Sequence, residues 1–299
     1  MSRLLFSVLK EILYLHYFGY HPTYKDVFFF LPQKINTNVL KKFLKEEKRL
    51  FREKNKRIYT VGGYSNCSVF HCKKLNKFFF KSKISSMRFR IFLFFIKICP
   101  FVIYAGLSGS LAYGVAKKED DIDLFIITAK DRLWSARFVL NLLAVFLMLK
   151  RKKYVDKASG KVCMNLFFSE NDLVVPLRKQ TEYVAREIVR MKTLVDKDNA
   201  YQRFISKNTW ILRFFPNFEQ KFRAVKKIEG KIRKKRLGLF DFLEMCLRDL
   251  QLFIMKKNKI SGEMILENQL WFFPDDFETR YKKLRDRAEK EARKVLANL

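Results

Sequence analysis

The sequence predicts an α+β protein with a small mixed sheet and packed helices, flanked by an N-terminal helical unit and a C-terminal helical region. Three observations predict this class. Two apolar segments at 101–107 and 121–127 read as buried strands and are joined by a Gly-Ser turn. A third segment, 161–169, has strand composition. The chain on either side repeats apolar residues at helical spacing.

Residues 1–63 are predicted to form a separate small unit. Apolar residues recur at helical spacing from Leu4 to Leu13, Thr23 is placed to cap a second helix, and Asn36 or Thr37 a third. A charged tip at 53–57 between two short segments predicts a hairpin. Three helices and a hairpin resemble a winged helix, which implies docking to nucleic acid through the third helix and the hairpin. The alternative is a packing or dimerisation module with a solvated basic face.

Residues 64–100 are predicted to be a basic helical connector, because Lys and Arg alternate with Phe and Ile between 73 and 97. The predicted core of the protein, residues 101–178, follows after Pro100. Residues 179–299 are predicted to form a helical C-terminal domain, with helices at 181–191, 200–214, 218–235, 239–257 and 275–297. Its densest basic cluster lies at 226–236. That cluster suits either a phosphate backbone or a solvated helix face.

Two carboxylates open the second predicted strand of the core. Side chains alternate along a strand, so Asp121 and Asp123 project to the same side, while Ile122 and Leu124 point into the core. Neighbouring carboxylates repel and raise each other's pKa, and a divalent cation between them removes that cost. Hard cations such as Mg²⁺ bind through a few carboxylates together with substrate phosphates. The pair is therefore a candidate metal site; the alternative is two solvated acids after a loop.

The turn before this strand offers a complementary feature. Gly109 allows a backbone to approach closely, and Ser110 begins a predicted short helix whose free N–H groups favour a phosphate. One strand–turn–helix–strand unit thus provides a phosphate site and a metal site. This combination is what nucleotidyl or phosphoryl transfer requires.

The spacing of these residues carries a family resemblance. Gly109-Ser110, a spacer at 111–120 and Asp121-x-Asp123 resemble the signature of the DNA polymerase β-type nucleotidyltransferase superfamily. The wider layout is similar to bacterial nucleotidyltransferase-domain proteins with an N-terminal winged helix. The resemblance implies that Gly109 and Ser110 hold the triphosphate of an NTP, and that Asp121 and Asp123 bind Mg²⁺ or Mn²⁺.

Two further residues complete the candidate site. Arg137, near the start of a helix predicted from Asp131 to about Lys150, is placed to reach a phosphate, with a structural ion pair as the alternative. Members of the superfamily usually carry a third carboxylate on the strand at 161–169. Here the central inward candidate is Asn165, expected to share a face with Cys163 and Phe167. An amide there leaves the activation of the attacking hydroxyl without an evident base.

Composition indicates the partners and the compartment. The net charge of +32 favours polyanions such as nucleic acid, although an AT-rich codon pool would produce similar Lys enrichment. Five scattered cysteines suit reduced thiols and a cytoplasmic protein. No apolar run is long enough to predict a membrane span.

We therefore expect a metal-dependent nucleotidyltransferase that moves an NMP from an NTP to a hydroxyl of nucleic acid, protein or a small molecule. The alternative is a nucleic-acid-binding regulator whose core senses nucleotides without turning them over. A toxin that adenylylates a partner protein is a third hypothesis. The sequence indicates neither the acceptor, nor the base preference, nor the oligomeric state.

Overall fold

A six-stranded mixed sheet forms the centre of the protein, as seen in a computed structural model that describes residues 3–60, 81–151, 159–219, 238–256, 263–272 and 276–298. Its strands are β3 (Val102–Leu107), β4 (Ile122–Thr128), β5 (Val162–Ser169), β6 (Lys192–Asp196), β7 (Met264–Ile265) and β8 (Gln269–Trp271). Their order in the sheet is β6-β3-β4-β5-β8-β7, and β4 runs parallel to β5 while the other neighbouring pairs are antiparallel. The predicted α+β class is confirmed.

Three helices and a hairpin precede the sheet. The helices are α1 (Arg3–Tyr17), α2 (Tyr24–Phe30) and α3 (Thr37–Glu46), and the antiparallel hairpin pairs β1 (Phe51–Lys54) with β2 (Arg57–Thr60). Thr23 and Asp26 form a reciprocal capping box at the start of α2, which confirms the prediction that Thr23 caps this helix. Asn55 and Lys56 turn the hairpin with φ values of 52° and 60°, the left-handed conformation of tight hairpin turns.

Helices cover both faces of the sheet. On the first face lie α4 (Met87–Ile98), α6 (Leu133–Phe146) and α9 (Leu239–Lys256), which pack against Leu124, Ile126 and their neighbours. On the second face, α7 (Glu182–Arg190) and α8 (Ala200–Lys207) pack against Phe125 and Ile127. The short helix α5 (Gly109–Tyr113) connects β3 to β4. Within the described residues, no helix is long and apolar enough to cross a membrane.

The prediction of an all-helical region from 179 onward is wrong in part. Its helices at 181–191, 239–257 and 275–297 are present as α7, α9 and α10 (Asp276–Ala297), but β6, β7 and β8 from the same region join the sheet. These strands have two to five residues, and β6 and β8 pair with strands that are distant in the sequence, so local spacing did not reveal them. The predicted helix at 218–235 from residue 220 onward, the basic cluster at 226–236 and the first part of the connector lie outside the described residues.

A buried ionic cluster joins the two ends of the chain to α7. Glu11 in α1 accepts two hydrogen bonds from the Arg186 guanidinium, at 2.5 and 2.9 Å, and one from Arg285 of α10 at 2.9 Å. Glu11 and Arg186 are almost fully buried. The Arg186 guanidinium also lies over the rings of Tyr14 and Phe30, 4.7 and 4.4 Å from their centroids. Burial of these charges is tolerated because each is paired and hydrogen-bonded.

We expect Glu11→Ala to lower the free energy of unfolding by about 3–5 kcal/mol. The change removes both hydrogen bonds to the buried Arg186 guanidinium and leaves it only the partly exposed Glu182, 3.6 Å away. Chemical denaturation monitored by circular dichroism measures the effect. The control is Glu46→Ala, which removes the exposed Lys42–Glu46 pair (3.7 Å) and should change stability by less than about 0.5 kcal/mol. Equal effects of the two substitutions would show that the buried cluster does not hold the chain ends together.

Candidate functional site

The two carboxylates of the sequence motif lie side by side. Asp121 comes just before β4 and Asp123 is its second residue, and one oxygen of each lies within 4.8 Å of the other and of the Cys163 sulfur. Ile122 and Leu124 point into the core on the first face, as the strand alternation predicted. Asp123 therefore faces the opposite side of the sheet, towards α7.

A β-bulge brings Asn165 to the same place. The pairing of β4 with β5 runs from Leu124–Met164 to Phe125–Leu166, which leaves Asn165 as the extra residue in β5. The bulge reverses the alternation after it. Phe167 consequently packs in the core of the first face, and the expectation that it shares a face with Asn165 is wrong. Sequence alternation alone does not reveal such an insertion.

Asn165 holds Asp123 in position. Its Nδ2 donates a short hydrogen bond to Asp123 Oδ1, and its Oδ1 accepts the thiol hydrogen of Cys163, with 2.6 Å between sulfur and oxygen. Burial and the neighbouring carboxylates raise the pKa of the Cys163 thiol, so the thiol stays protonated and acts as a donor. The Asn165 amide thus orients Asp123, a candidate metal ligand, and cannot itself act as a general base.

The glycine of the predicted phosphate turn touches the acidic pair. Gly109 has φ +61°, and a Cβ added to it would lie 2.2 Å from Asp123 Oδ2, so a side chain does not fit there. The Ser108 N–H donates to the Asp123 carbonyl oxygen at 3.0 Å, which fastens the turn to β4. Ser110 follows as a half-buried residue in α5. The structure therefore brings Gly109, Asp121, Asp123 and Asn165 together, and Ser110 is the next residue after Gly109 in the chain.

A third acid, Glu187, reaches the site from α7. Its Oε2 accepts the Gly109 N–H at 3.2 Å, on a residue that also contacts Asp123. Burial raises the pKa of Glu187, and its charge raises that of Asp123. Sequence reasoning assigned no site role to Glu187. The available signal was its place at helical spacing in 181–191, which indicates a helix and not its contact with a distant turn.

Arg151 supplies positive charge next to the acids. Its Nη1 lies 2.6 Å from Asp121 Oδ2 in an ion pair that is partly exposed to solvent. The same nitrogen lies 3.8 Å from the Cys163 sulfur. The Arg151 guanidinium thus pairs with Asp121, which the sequence predicts to bind a metal ion. The Glu187 carboxylate accepts from the Gly109 N–H, which the sequence predicts to bind a phosphate.

The donor set fits a hard divalent cation. Asp121 and Asp123 offer carboxylate oxygens, whereas the thiol of Cys163 is neutral and is a poor ligand for Mg²⁺ or Mn²⁺. Burial and then the charge of Asp121 raise the pKa of Asp123 to about 8, which reflects two carboxylates sharing one site with too little positive charge. A cation there would relieve that repulsion.

Arg137 lies away from these residues. Its Nη1 donates to Gln251 Oε1 of α9 at 2.6 Å, and its guanidinium lies 5.2 Å from the centroid of the Phe272 ring. These partners belong to the layer on the first face, whereas Asp123 faces α7. Trp134 packs in that same first-face core. The structure thus does not bring Arg137 together with the carboxylates.

Comparisons with protein-family models, with curated proteins and with solved structures find no match to this chain.

We expect Gly109→Ala to weaken both folding and metal binding, since the new Cβ collides with Asp123 and the residue has positive φ. Gly114→Ala is the matched control, because Gly114 also has positive φ (+72°) but has open space around its Cβ position. Each substitution should cost about 1–2 kcal/mol for its backbone conformation. Only Gly109→Ala should also reduce Mn²⁺ affinity, measured by isothermal titration calorimetry. Equal Mn²⁺ affinities in the two variants would show that the contact between Gly109 and Asp123 does not affect metal binding.

Because the pKa of Asp123 is raised, we expect the folded protein to become less stable as the pH rises in a buffer that contains a metal chelator. The folded state holds this proton up to a pKa of about 8, against 3.8 for an ordinary aspartate, so it binds more protons than the unfolded state between these values. The melting temperature should therefore fall from about pH 6 to about pH 8. Asp123→Asn should flatten the decline, and MgCl₂ should raise the wild-type melting temperature at the alkaline end. The prediction would be refuted if the melting temperatures of the wild type and of Asp123→Asn changed with pH in the same way.

Proposed function

We propose that the protein is a metal-dependent nucleotidyltransferase of the DNA polymerase β type, which transfers an NMP from an NTP to an acceptor hydroxyl. The observation that carries this proposal is the contact between Gly109 and Asp123. It places the turn suited to a phosphate directly against the carboxylate pair suited to a metal ion, so that one nucleotide can engage both. The β3–α5–β4 unit and the parallel strand β5 also suit such a core.

Each residue has a defined part in this proposal. Asp121 and Asp123 would hold Mg²⁺ or Mn²⁺, which, when bound, neutralises charge on the triphosphate. The Gly109 N–H and the Ser110 hydroxyl would bind the β- and γ-phosphates. The acceptor oxygen attacks the α-phosphorus, its bond to phosphorus forms, the bond to the β-phosphate bridging oxygen breaks, and pyrophosphate leaves. Asn165 keeps Asp123 in position, and the proton of the acceptor hydroxyl passes to solvent.

The site exchanges its internal partners for the ligand. A phosphate oxygen at the Gly109 N–H would replace Glu187 Oε2, since both accept from the same donor. A cation at Asp121 would compete with the Arg151 guanidinium, which would be free to turn towards a phosphate. The Arg151 guanidinium released from Asp121 would then pair with a phosphate, and Glu187 would keep its hydrogen bond to Tyr113 after giving up the Gly109 N–H.

Exposed basic side chains favour a nucleic-acid acceptor. On α3 and at the hairpin tip, the side chains of Lys41, Lys42, Lys45, Lys54 and Lys56 are exposed. Three helices followed by a hairpin suit a winged helix that docks to a phosphate backbone through this surface. The free cysteines Cys99, Cys163 and Cys246 suit action in the reducing cytoplasm.

A specific observation favours the alternative function, a nucleotide-sensing regulator. Strand β5 carries no carboxylate, and Asn165 hydrogen-bonds Asp123 where the resemblance leads us to expect a third acid. Such a core would bind the metal and the nucleotide without activating an acceptor.

The experiment is incubation with α-labelled NTPs, Mg²⁺ or Mn²⁺ and total RNA. We expect transfer of label, and a loss of about a hundredfold or more in Asp121→Asn and Asp123→Asn, because several kcal/mol of charge stabilisation depend on the metal. Asp249→Asn is the control, since that carboxylate is exposed on α9. Nucleotide binding without transfer would support the sensor, label on protein would indicate adenylylation of a partner, and absence of nucleotide binding would refute both functions.

A further inference from the structure

One surface of the protein carries most of its exposed apolar side chains. Of the 23 large apolar side chains exposed in the described part of the chain, 18 belong to α4, α6 and α9. These three helices form the layer on the first face of the sheet, and their inner sides fill the core there. We call the outward side of this layer the apolar face. Single exposed apolar residues need no explanation, but a concentration of this kind marks an interaction site.

Helix α4 has two apolar stripes. Phe89, Phe92 and Ile96 are buried against the sheet. A second stripe points away from the core at positions one turn apart, and its members are 36% to 69% exposed. A helix that is apolar on both sides needs a second apolar environment. The second stripe consists of Met87, Ile91, Phe94, Phe95 and Ile98.

The other two helices extend the same pattern. The exposed stripe of α6 consists of Phe138, Val139, Leu142, Val145 and Phe146. In its sequence, LWSARFVLNLLAVF, the one charged residue is Arg137, and that side chain turns inward to Gln251. On α9, exposed apolar side chains recur from Leu239 to Ile254, a distance of about 22 Å along the helix axis.

The charges beside the apolar face have one sign on α4. Arg88, Arg90 and Lys97 are all exposed, and no salt bridge in the described part of the chain engages any of them. The sequence contains no Asp or Glu between Glu53 and Glu119. Basic side chains next to exposed Phe and Ile are the pattern of a helix that lies in the surface of an anionic bilayer.

We propose that the apolar face docks on the surface of an anionic lipid bilayer. The stripes would enter the boundary between headgroups and acyl chains while the three basic side chains of α4 contact anionic headgroups. Charge complementarity favours this occupant, because a net charge of +32 opposes the approach of a second copy of the same chain. The proposal is independent of the nucleotidyltransferase activity, since the acidic pair faces the other side of the sheet.

Co-sedimentation of the full chain with vesicles tests the proposal. One set is phosphatidylcholine alone and the other is phosphatidylcholine mixed with phosphatidylserine. We expect binding to the anionic vesicles and its loss at high salt. Phe94→Ser with Phe95→Ser should reduce this binding by about tenfold or more, the scale of burying such a side chain. Arg88→Gln with Arg90→Gln should reduce it by about tenfold and have no effect on neutral vesicles.

The control variant is Val174→Ser with Leu177→Ser, which removes two exposed apolar side chains outside the apolar face and should bind like the wild type. All six positions are exposed, so circular dichroism should show folded proteins. Failure of the wild type to sediment with anionic vesicles would overturn the proposal. Equal binding to both vesicle types, or a dimer in sedimentation velocity that the Phe94/Phe95 variant dissociates, would overturn it as well.

Discussion

The buried ionic cluster of Glu11, Arg186 and Arg285 is the interaction on which the arrangement of the molecule depends. It joins α1 near the start of the chain, α7 in the middle and α10 near its end, and both partners of its central pair are almost fully removed from solvent. Charges buried in this way tolerate little displacement, because loss of one partner leaves another unpaired in a medium of low dielectric constant. The cluster therefore specifies one position for α7.

In that position, α7 contributes a side chain to the candidate site. Glu187 follows Arg186 in α7, and its carboxylate meets the Gly109 N–H while Gly109 itself meets Asp123. Groups of the chain occupy two positions of the site: the Arg151 guanidinium contacts Asp121, and the Glu187 carboxylate accepts a hydrogen bond from the Gly109 N–H. A cation and a phosphate have the same signs of charge as these two groups. In the proposed function, these two groups are the ones that the metal ion and the nucleotide would displace.

The two faces of the sheet have different characters. The second face combines acids, a glycine turn and an amide held by a β-bulge, whereas the first face presents apolar helices to solvent. Successive side chains of β4 point to opposite faces of the sheet, so Asp123 lies on the second face and Leu124 on the first. A polar cluster and an exposed apolar surface can coexist in one small protein because a single sheet separates them.

The sequence by itself determined the local parts: the alternation that pairs Asp121 with Asp123, the Gly-Ser turn that precedes them in the chain, the cap of α2, and the class of fold. These follow from interactions between near neighbours in the chain. Only the tertiary structure decided that β6, β7 and β8 join the sheet, that a bulge turns Phe167 away from Asn165, that Arg137 packs against Gln251 and Phe272, and that Glu187 meets Gly109. Each of these depends on long-range pairing or on burial against a distant element, and no local pattern of residue types encodes which distant partner is chosen.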